Sequence, residues 1–253
     1  MAGLVEGKVA LVTGAGSGIG RESARLFAAE GAAVLVTDVD ETGGTETVDL
    51  ITGAGGEASF LRVDVSSEAD VENMVAAALE RFGGLHCAHN NAGISDPPVD
   101  FTDMTLESWN RMIAIQLTGT FLCMKHELRH LLVAGGGAIC NTASGASFVP
   151  APGQVHYTSA KHGVLGLTRQ GASDYARRGV RVNAVCPGIV DTPMMRAFMA
   201  SDPAMAELLP TLPPPGRMAT AREIAECAVW LCSDRSSYVS GVSMPVDYGQ
   251  LLR

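Results

Sequence analysis

Positive charge is scarce in this sequence: 18 Lys and Arg stand against 27 Asp and Glu in 253 residues, a formal charge of −9. No basic cluster is longer than the Arg177-Arg178 pair. A phosphate backbone or an anionic membrane would repel such a chain, so nucleic acid is excluded as an expected partner and a small molecule is favoured. Charge of either sign is sparse, at 18%, against 47% hydrophobic residues, and this excludes a disordered protein. The six cysteines form no Cys-x-x-Cys pair and lie mostly in apolar segments, so reduced buried thiols are expected rather than disulfides or zinc. No basic leader followed by an apolar run opens the chain. The longest stretch free of Asp, Glu, Lys and Arg, His130 to Ala160, is broken by Gly135-Gly136-Gly137, Pro150 and Pro152, so no membrane helix is expected. A cytoplasmic protein is the expectation these readings give.

What is present is an alternation. Apolar, β-branched runs at Val9–Thr13, Ala33–Asp38, Ala58–Val63, Leu85–Asn90, Ala138–Thr142, Val180–Cys186 and Val242–Val246 predict seven strands. Most are apolar throughout, as strands covered on both faces must be. Helical patterns separate them at Ile19–Glu30, Ser67–Phe82, Leu106–Leu132, Gln154–Arg178 and Ala221–Ser233. The expected fold is therefore α/β: one Rossmann-type, doubly wound domain over residues 1–253, with a seven-stranded parallel sheet and helices on both faces. Residues 191–219 interrupt the rhythm with a Met- and Pro-rich insertion that includes Met194, Met195, Phe198, Met199 and Met205. Beyond the carboxyl end of a strand, such an insertion is expected to form a pliable substrate lid.

The first strand runs into Thr13-Gly14-Ala15-Gly16-Ser17-Gly18-Ile19-Gly20 and then a helix. Glycines let the chain turn tightly and let a pyrophosphate approach the helix N-terminus, where free N–H groups and the helix dipole attract negative charge. Asp38 ends the second strand eighteen residues beyond Gly20, placed to accept hydrogen bonds from a ribose diol. Its carboxylate would repel a 2′-phosphate, so NAD is expected rather than NADP. Asp64 and Val65 after the third strand, and Asn91, Ala92 and Gly93 after the fourth, lie at the same end of the sheet.

Tyr157 and Lys161 stand at i and i+4, on one helix face. A nearby ammonium favours phenolate, so Tyr157 is expected to have a lowered pKa and to serve as proton donor or acceptor. Ser144, thirteen residues upstream, adds a hydroxyl for a substrate oxygen. His156 points about 100° away from Tyr157 on the helix and is read as a packed histidine, although with Gln154 it is in reach of a substrate polar group. His86 and His89 alternate on one strand without further ligands, so no metal site is expected.

With these residues in view the chain resembles the short-chain dehydrogenase/reductase family over essentially its whole length. Thr13–Gly20 resembles the family's cofactor loop, Asn90-Asn91-Ala92-Gly93 its sheet-stabilising motif, and Ser144, Tyr157 and Lys161 its catalytic trio. Cys186-Pro187-Gly188-Ile189-Val190-Asp191-Thr192 resembles the segment lining the nicotinamide, with Ile189 and Thr192 toward the carboxamide. The resemblance implies that tyrosinate takes the proton of an alcohol while its hydride passes to the nicotinamide, Lys161 lowering the tyrosine pKa and, with Tyr157, holding the cofactor, its ribose above all, and the serine steadying the oxygen. It also implies a homotetramer. Two positions depart from the pattern. Gln116 stands where the family usually carries an asparagine serving a proton relay, and Tyr248 where a second glycine commonly follows the aspartate.

The reading that results is an NAD-dependent oxidoreductase interconverting a secondary alcohol and a ketone. A cyclic or largely apolar substrate is expected to rest against Ser144, Ala146, Gln154, Tyr157, Met194, Met195 and Phe198, because the lid is rich in Met and Pro and Gly145–Val149 carries no charge. Two alternatives remain open to the sequence: a ketoacyl-thioester reductase, and an NAD-binding sensor or assembly protein with little catalysis.

Overall fold

The computed structural model describes residues 2–201 and 203–252, with the side chains of 201 and 203–205 left out, so Met205 lies outside the described side chains. Seven strands form the main sheet: β1 (Val9–Thr13), β2 (Ala33–Asp38), β3 (Glu57–Arg62), β4 (Cys87–Asn90), β5 (Gly137–Thr142), β6 (Val180–Pro187) and β9 (Ser243–Val246). Their order is β3-β2-β1-β4-β5-β6-β9, and every neighbouring pair is parallel. The order reverses between β1 and β4, and the ligand crevice of such sheets opens there, at the carboxyl ends of the strands.

Strand residues alternate between two cores. Ala10 and Val12 pack with Phe27 of α1 (Gly18–Ala29) and Ile224 and Val229 of α9 (Ala221–Cys232). Leu11 faces the other way, onto Val71 and Met74 of α3 (Glu68–Phe82) and Leu128 of α5 (Gly119–Ala134). A period of two with both faces buried is why these strands read as unbroken apolar runs. The crossover from β5 to β6 carries α6 (Val155–Tyr175). All six cysteines are free thiols, and five are buried.

Three features differ from the sequence reading. The connection after β2 is a helix, α2 (Glu41–Gly53), capped by Asp40 accepting from Thr42 N. Its glycines argue against a helix locally, but packing requires them. A Cβ on Gly44 would stand 2.0 Å from the Phe60 ring of β3, and one on Gly43 would stand 2.8 Å from the Gly16 carbonyl. Second, the predicted helix Leu106–Leu132 is α4 (Leu106–Ile113), then a π-helical turn Ala114–Thr118, then α5, with Gly119 N donating to the Ala114 carbonyl. A π turn inserts one residue into a helix and re-aims the turns beyond it. Third, the insertion after β6 is ordered into β7 (Val190–Asp191), α7 (Pro193–Ser201), α8 (Pro203–Leu208) and β8 (Ala219–Thr220), which pairs with β7.

Candidate active site

The glycine loop is built by backbone crowding. Gly14 and Gly18 adopt φ of +63° and +52°, a region that side chains other than glycine's rarely occupy. A Cβ on Gly14 would stand 2.7 Å from Ala92 Cα, and one on Gly20 only 2.0 Å from the Gly14 carbonyl. Gly20 accordingly sits under the loop and does not face the cavity above it. Asn91 fastens the loop to β4: its Nδ2 donates to the carbonyls of Thr13 (3.1 Å) and Gly14 (3.2 Å). Thr13 Oγ1 in turn accepts from the amides of Asn91 and Ala92, both at 3.0 Å. Asn91 is thus part of the loop's scaffold.

Asp38 reaches the loop from β2, its Oδ2 accepting from Gly16 N at 2.8 Å and its Oδ1 from Asp40 N at 3.0 Å. Arg21 lies beneath the loop. It donates to the carbonyls of Gly16 and Gly43 and pairs with Glu46 at 2.9 Å, and it does not line the cavity. Asp64 closes an Asx turn, accepting from Ser66 N (2.9 Å) and Ser66 Oγ (2.7 Å). The cap of α3 is Ser67.

Beyond the loop, Ser144 follows β5, and α6 carries Tyr157 and Lys161. Lys161 is buried, its Nζ donating to the Thr142 carbonyl at 2.8 Å and standing 5.7 Å from the Tyr157 ring centre. Burial holds its ammonium down to about 8. The Ser144 hydroxyl accepts from Ala146 N at 3.1 Å and lies near enough to the Tyr157 phenol to favour its phenolate. Contrary to the lowered pKa expected from Tyr157 and Lys161 alone, burial pushes the phenol up, and Ser144 only partly offsets it. Desolvation disfavours the phenolate, and Lys161 is not among the groups that offset it.

Gln116 occupies the middle of the π turn, buried at 2% exposure. Its Nε2 donates to the Ile94 carbonyl at 2.6 Å, holding the loop after β4, and its backbone carbonyl accepts from Thr120 Oγ1 at 2.8 Å. Behind the site, Asn90 Nδ2 donates to Glu127 Oε2 (3.0 Å) and Asn141 Oδ1 (3.1 Å), and Asn141 Nδ2 donates to Thr168 Oγ1 (2.9 Å).

A cavity of about 850 Å³ joins these parts. It is lined at one end by Gly14, Ser17, Gly18, Ile19, Asp38, Asp64 and Val65. Asn91, Ala92, Gly93, Gln116, Pro187, Gly188, Ile189 and Thr192 line its middle, and Ser144, Ala146, Gln154, Tyr157, Lys161, Met194, Met195 and Phe198 its far end. Sequence reasoning missed Ile94, Ser95 and Pro98 after β4, and Gln250 and Leu251 at the C-terminus. Neither segment carries a motif; each is brought in by its loop. The Gln154 amide nitrogen is already engaged, donating to the Asp96 carbonyl at 3.0 Å. His156, fully buried, has its Nε2 3.3 Å from Asp96 Oδ2, and Arg111 pairs with the same carboxylate. His156 therefore braces the loop after β4. Among the described residues no group of three or more His, Cys, Asp or Glu is placed to hold a metal, and no helix is long and apolar enough to cross a membrane.

A reversing parallel sheet, a glycine loop at its switch point and a Ser-Tyr-Lys cluster at the other end of one cavity define a dinucleotide-dependent oxidoreductase. A family model described as Enoyl-(Acyl carrier protein) reductase matches residues 14–250. The 2,5-dichloro-2,5-cyclohexadiene-1,4-diol dehydrogenase of Sphingobium indicum is 42% identical over 246 residues, 97% of each chain. The cyclohexanol dehydrogenase of an Acinetobacter species is 39% identical over 240 residues, 95% of this chain and 93% of that one. The crystal structure of levodione reductase superposes with a TM-score of 0.94 at 37% identity, covering 98% of both chains. The chain belongs to the short-chain dehydrogenase/reductase family. It is an oxidoreductase acting on CH–OH groups, interconverting an alcohol and a ketone with a nicotinamide cofactor.

Proposed function

We propose that the protein is an NAD-dependent dehydrogenase of secondary alcohols on cyclic, largely apolar substrates. The observation that carries this reading is one continuous cavity with Asp38 at one end and Ser144, Tyr157 and an apolar wall of Met194, Met195, Phe198 and Leu209 at the other. The loop glycines fit a dinucleotide, because a Cβ at Gly14 would collide with Ala92 and fill the cradle. Gly14, Ser17, Gly18, Ile19, Asn91, Ala92 and Gly93 would hold its phosphates and ribose, Asp64 and Val65 its adenine. Pro187, Gly188, Ile189 and Thr192 would flank the nicotinamide. Asp38 would accept from a ribose diol and repel a 2′-phosphate, with no guanidinium among the described residues of the cavity wall to compensate. The relatives named for cyclohexanol and a cyclohexadiene diol support a cyclic substrate.

When bound, the nicotinamide supplies a two-electron acceptor for the carbinol hydride. The chain's own residues manage the proton and the oxygen. Ser144 Oγ and the Tyr157 hydroxyl, both on the cavity wall, converge on the substrate oxygen, and Tyr157 as phenolate takes its proton. The same contacts then hold the ketone oxygen. The Lys161 ammonium, fixed on the Thr142 carbonyl, favours the phenolate once a charged ligand fills the cavity, and Gln116 holds the loop that carries Ile94. Residues 191–219 serve as the lid over an otherwise single catalytic domain. A cytoplasmic homotetramer is part of the same reading, supported by the outward Gly166 of α6, where a Cβ would meet nothing within 4 Å, and by half-exposed Phe121 on α5.

Titration with NAD and NADP, followed by a panel of secondary alcohols monitored by nicotinamide absorbance, tests the proposal. Tyr157→Phe should retain NAD binding and lose about 10²–10⁴ in turnover. A preference for NADPH would favour the thioester reductase, and NAD binding without turnover of any alcohol would favour the binding protein.

A further inference from the structure

The glycine loop and the lysine of α6 lie far apart along the chain, yet both are tied to Thr142, the last residue of β5. The Thr142 carbonyl accepts from Lys161 Nζ at 2.8 Å. Its hydroxyl donates to Asn91 Oδ1 at 3.3 Å and lies 2.9 Å from His89 Nε2. His89 is fully buried in β4 and has no part in the reaction just described. Packing alone asks for an apolar side chain in a strand covered on both faces, so what the imidazole adds at this position is a polar group aimed at Thr142.

The direction of these bonds follows from their partners. Asn91 Nδ2 donates to two backbone carbonyls, those of Thr13 and Gly14, so the amide cannot be turned over and the oxygen facing Thr142 can only accept. A threonine hydroxyl carries one hydrogen. Since Thr142 gives it to Asn91, Thr142 must accept from His89. His89 is therefore neutral with its hydrogen on Nε2, and Nδ1, buried without a partner among the described residues, is the bare nitrogen. A one-way chain results, from His89 through the Thr142 hydroxyl to Asn91 and on to the carbonyls of the glycine loop, in which each bond polarises the next.

We propose that His89 is a positioning residue for cofactor binding: through Thr142 it fixes the Asn91 amide in the one orientation that clasps Thr13 and Gly14, and so holds the glycine loop in register with the strand end that anchors Lys161. Turned over, the amide would set its oxygen against two carbonyls and the loop would lose both ties. The inference rests on the reading of that loop as a dinucleotide site.

The test measures calorimetric NAD affinity of the apo protein, with KM for NAD and kcat beside it, for the wild type, His89→Leu, His89→Gln, Thr142→Val and the double variant His89→Leu/Thr142→Val. His89→Leu and Thr142→Val should each weaken NAD binding by about three- to tenfold, the worth of one neutral hydrogen bond, and should raise KM for NAD by more than they lower kcat. His89→Gln, whose Nε2 can donate from the same place, should recover most of the affinity. The double variant should bind NAD about as well as either single one, because both break the same chain. Thr142→Val keeps the backbone carbonyl and nearly the shape of threonine, so it decides the matter even where His89→Leu fails to fold. Unchanged NAD affinity in folded variants with lowered thermal midpoints, no recovery in His89→Gln, or additive losses in the double variant would each overturn the proposal while leaving the dehydrogenase standing. A wild type that binds neither NAD nor NADP would instead remove the reading on which it rests.

Discussion

Glu127 offers the sharpest test of how the site is supported. Its carboxyl is fully buried on α5, takes one hydrogen bond from Asn90 Nδ2, and has no partner for Oε1 among the described residues. Burial raises its pKa from 4.5 to about 7, the Asn90 bond only partly offsetting it. An acid whose folded-state pKa exceeds its unfolded value makes the folded chain bind more protons. Its contribution is therefore fully present below about pH 4.5 and is lost as pH rises through 7. At about 1.4 kcal/mol for each pH unit across that window, the loss amounts to roughly 3 kcal/mol, an order-of-magnitude figure. Glu127→Gln keeps an acceptor for Asn90 and removes the titration. Urea unfolding of both proteins at fixed concentration from pH 4.5 to 8.5 should show the glutamine variant gaining about 3 kcal/mol on the wild type as pH rises, most of it by pH 7. A difference that stays flat over this range would refute the claim that Glu127 is desolvated and neutral behind Asn90.

Three further outcomes are expected from other parts of the fold. His89 is fully buried and its pKa is held down to about 3 by desolvation, so the stability it contributes is present above pH 6.5 and is lost as pH falls toward 3. His89→Gln should flatten that acid-side loss in the same urea series, and unchanged acid sensitivity would count against it. Gly44→Ala, forcing a methyl into the Phe60 ring, should cost about 1–3 kcal/mol and visibly lower the thermal midpoint. Gly53→Ala at the end of the same helix, where a Cβ meets nothing within 4 Å, should not, and equal midpoints for the two would contradict the packing argument. Asp38→Asn, which keeps the Gly16 contact but removes the charge, should cut the preference for NAD over NADP by at least about tenfold in fluorescence titrations; an unaltered ratio would take cofactor choice away from Asp38.

Much of this protein is legible along the chain. Strand runs apolar on both faces announce a covered parallel sheet, because each strand must satisfy two helical layers at once. The glycine spacing, Asp38 and the i, i+4 pair of Tyr157 and Lys161 are short-range patterns whose geometry is fixed by the turn or helix that carries them. The sequence by itself therefore determined the α/β class and many of the residues that line the two ends of the cavity. Tertiary structure decided what depends on contacts distant along the chain. Helix α2 forms despite its glycines because Phe60 and Gly16 leave room for nothing larger. The Tyr157 phenol is raised because the assembled walls desolvate it. Asp96 and His156 meet across sixty residues, and Leu251 reaches the cavity only because Asp247 and the positive φ of Tyr248 fold the tail back. Periodicity reports which face of an element is buried, whereas the identity of the atoms it is buried against is settled only when the elements pack.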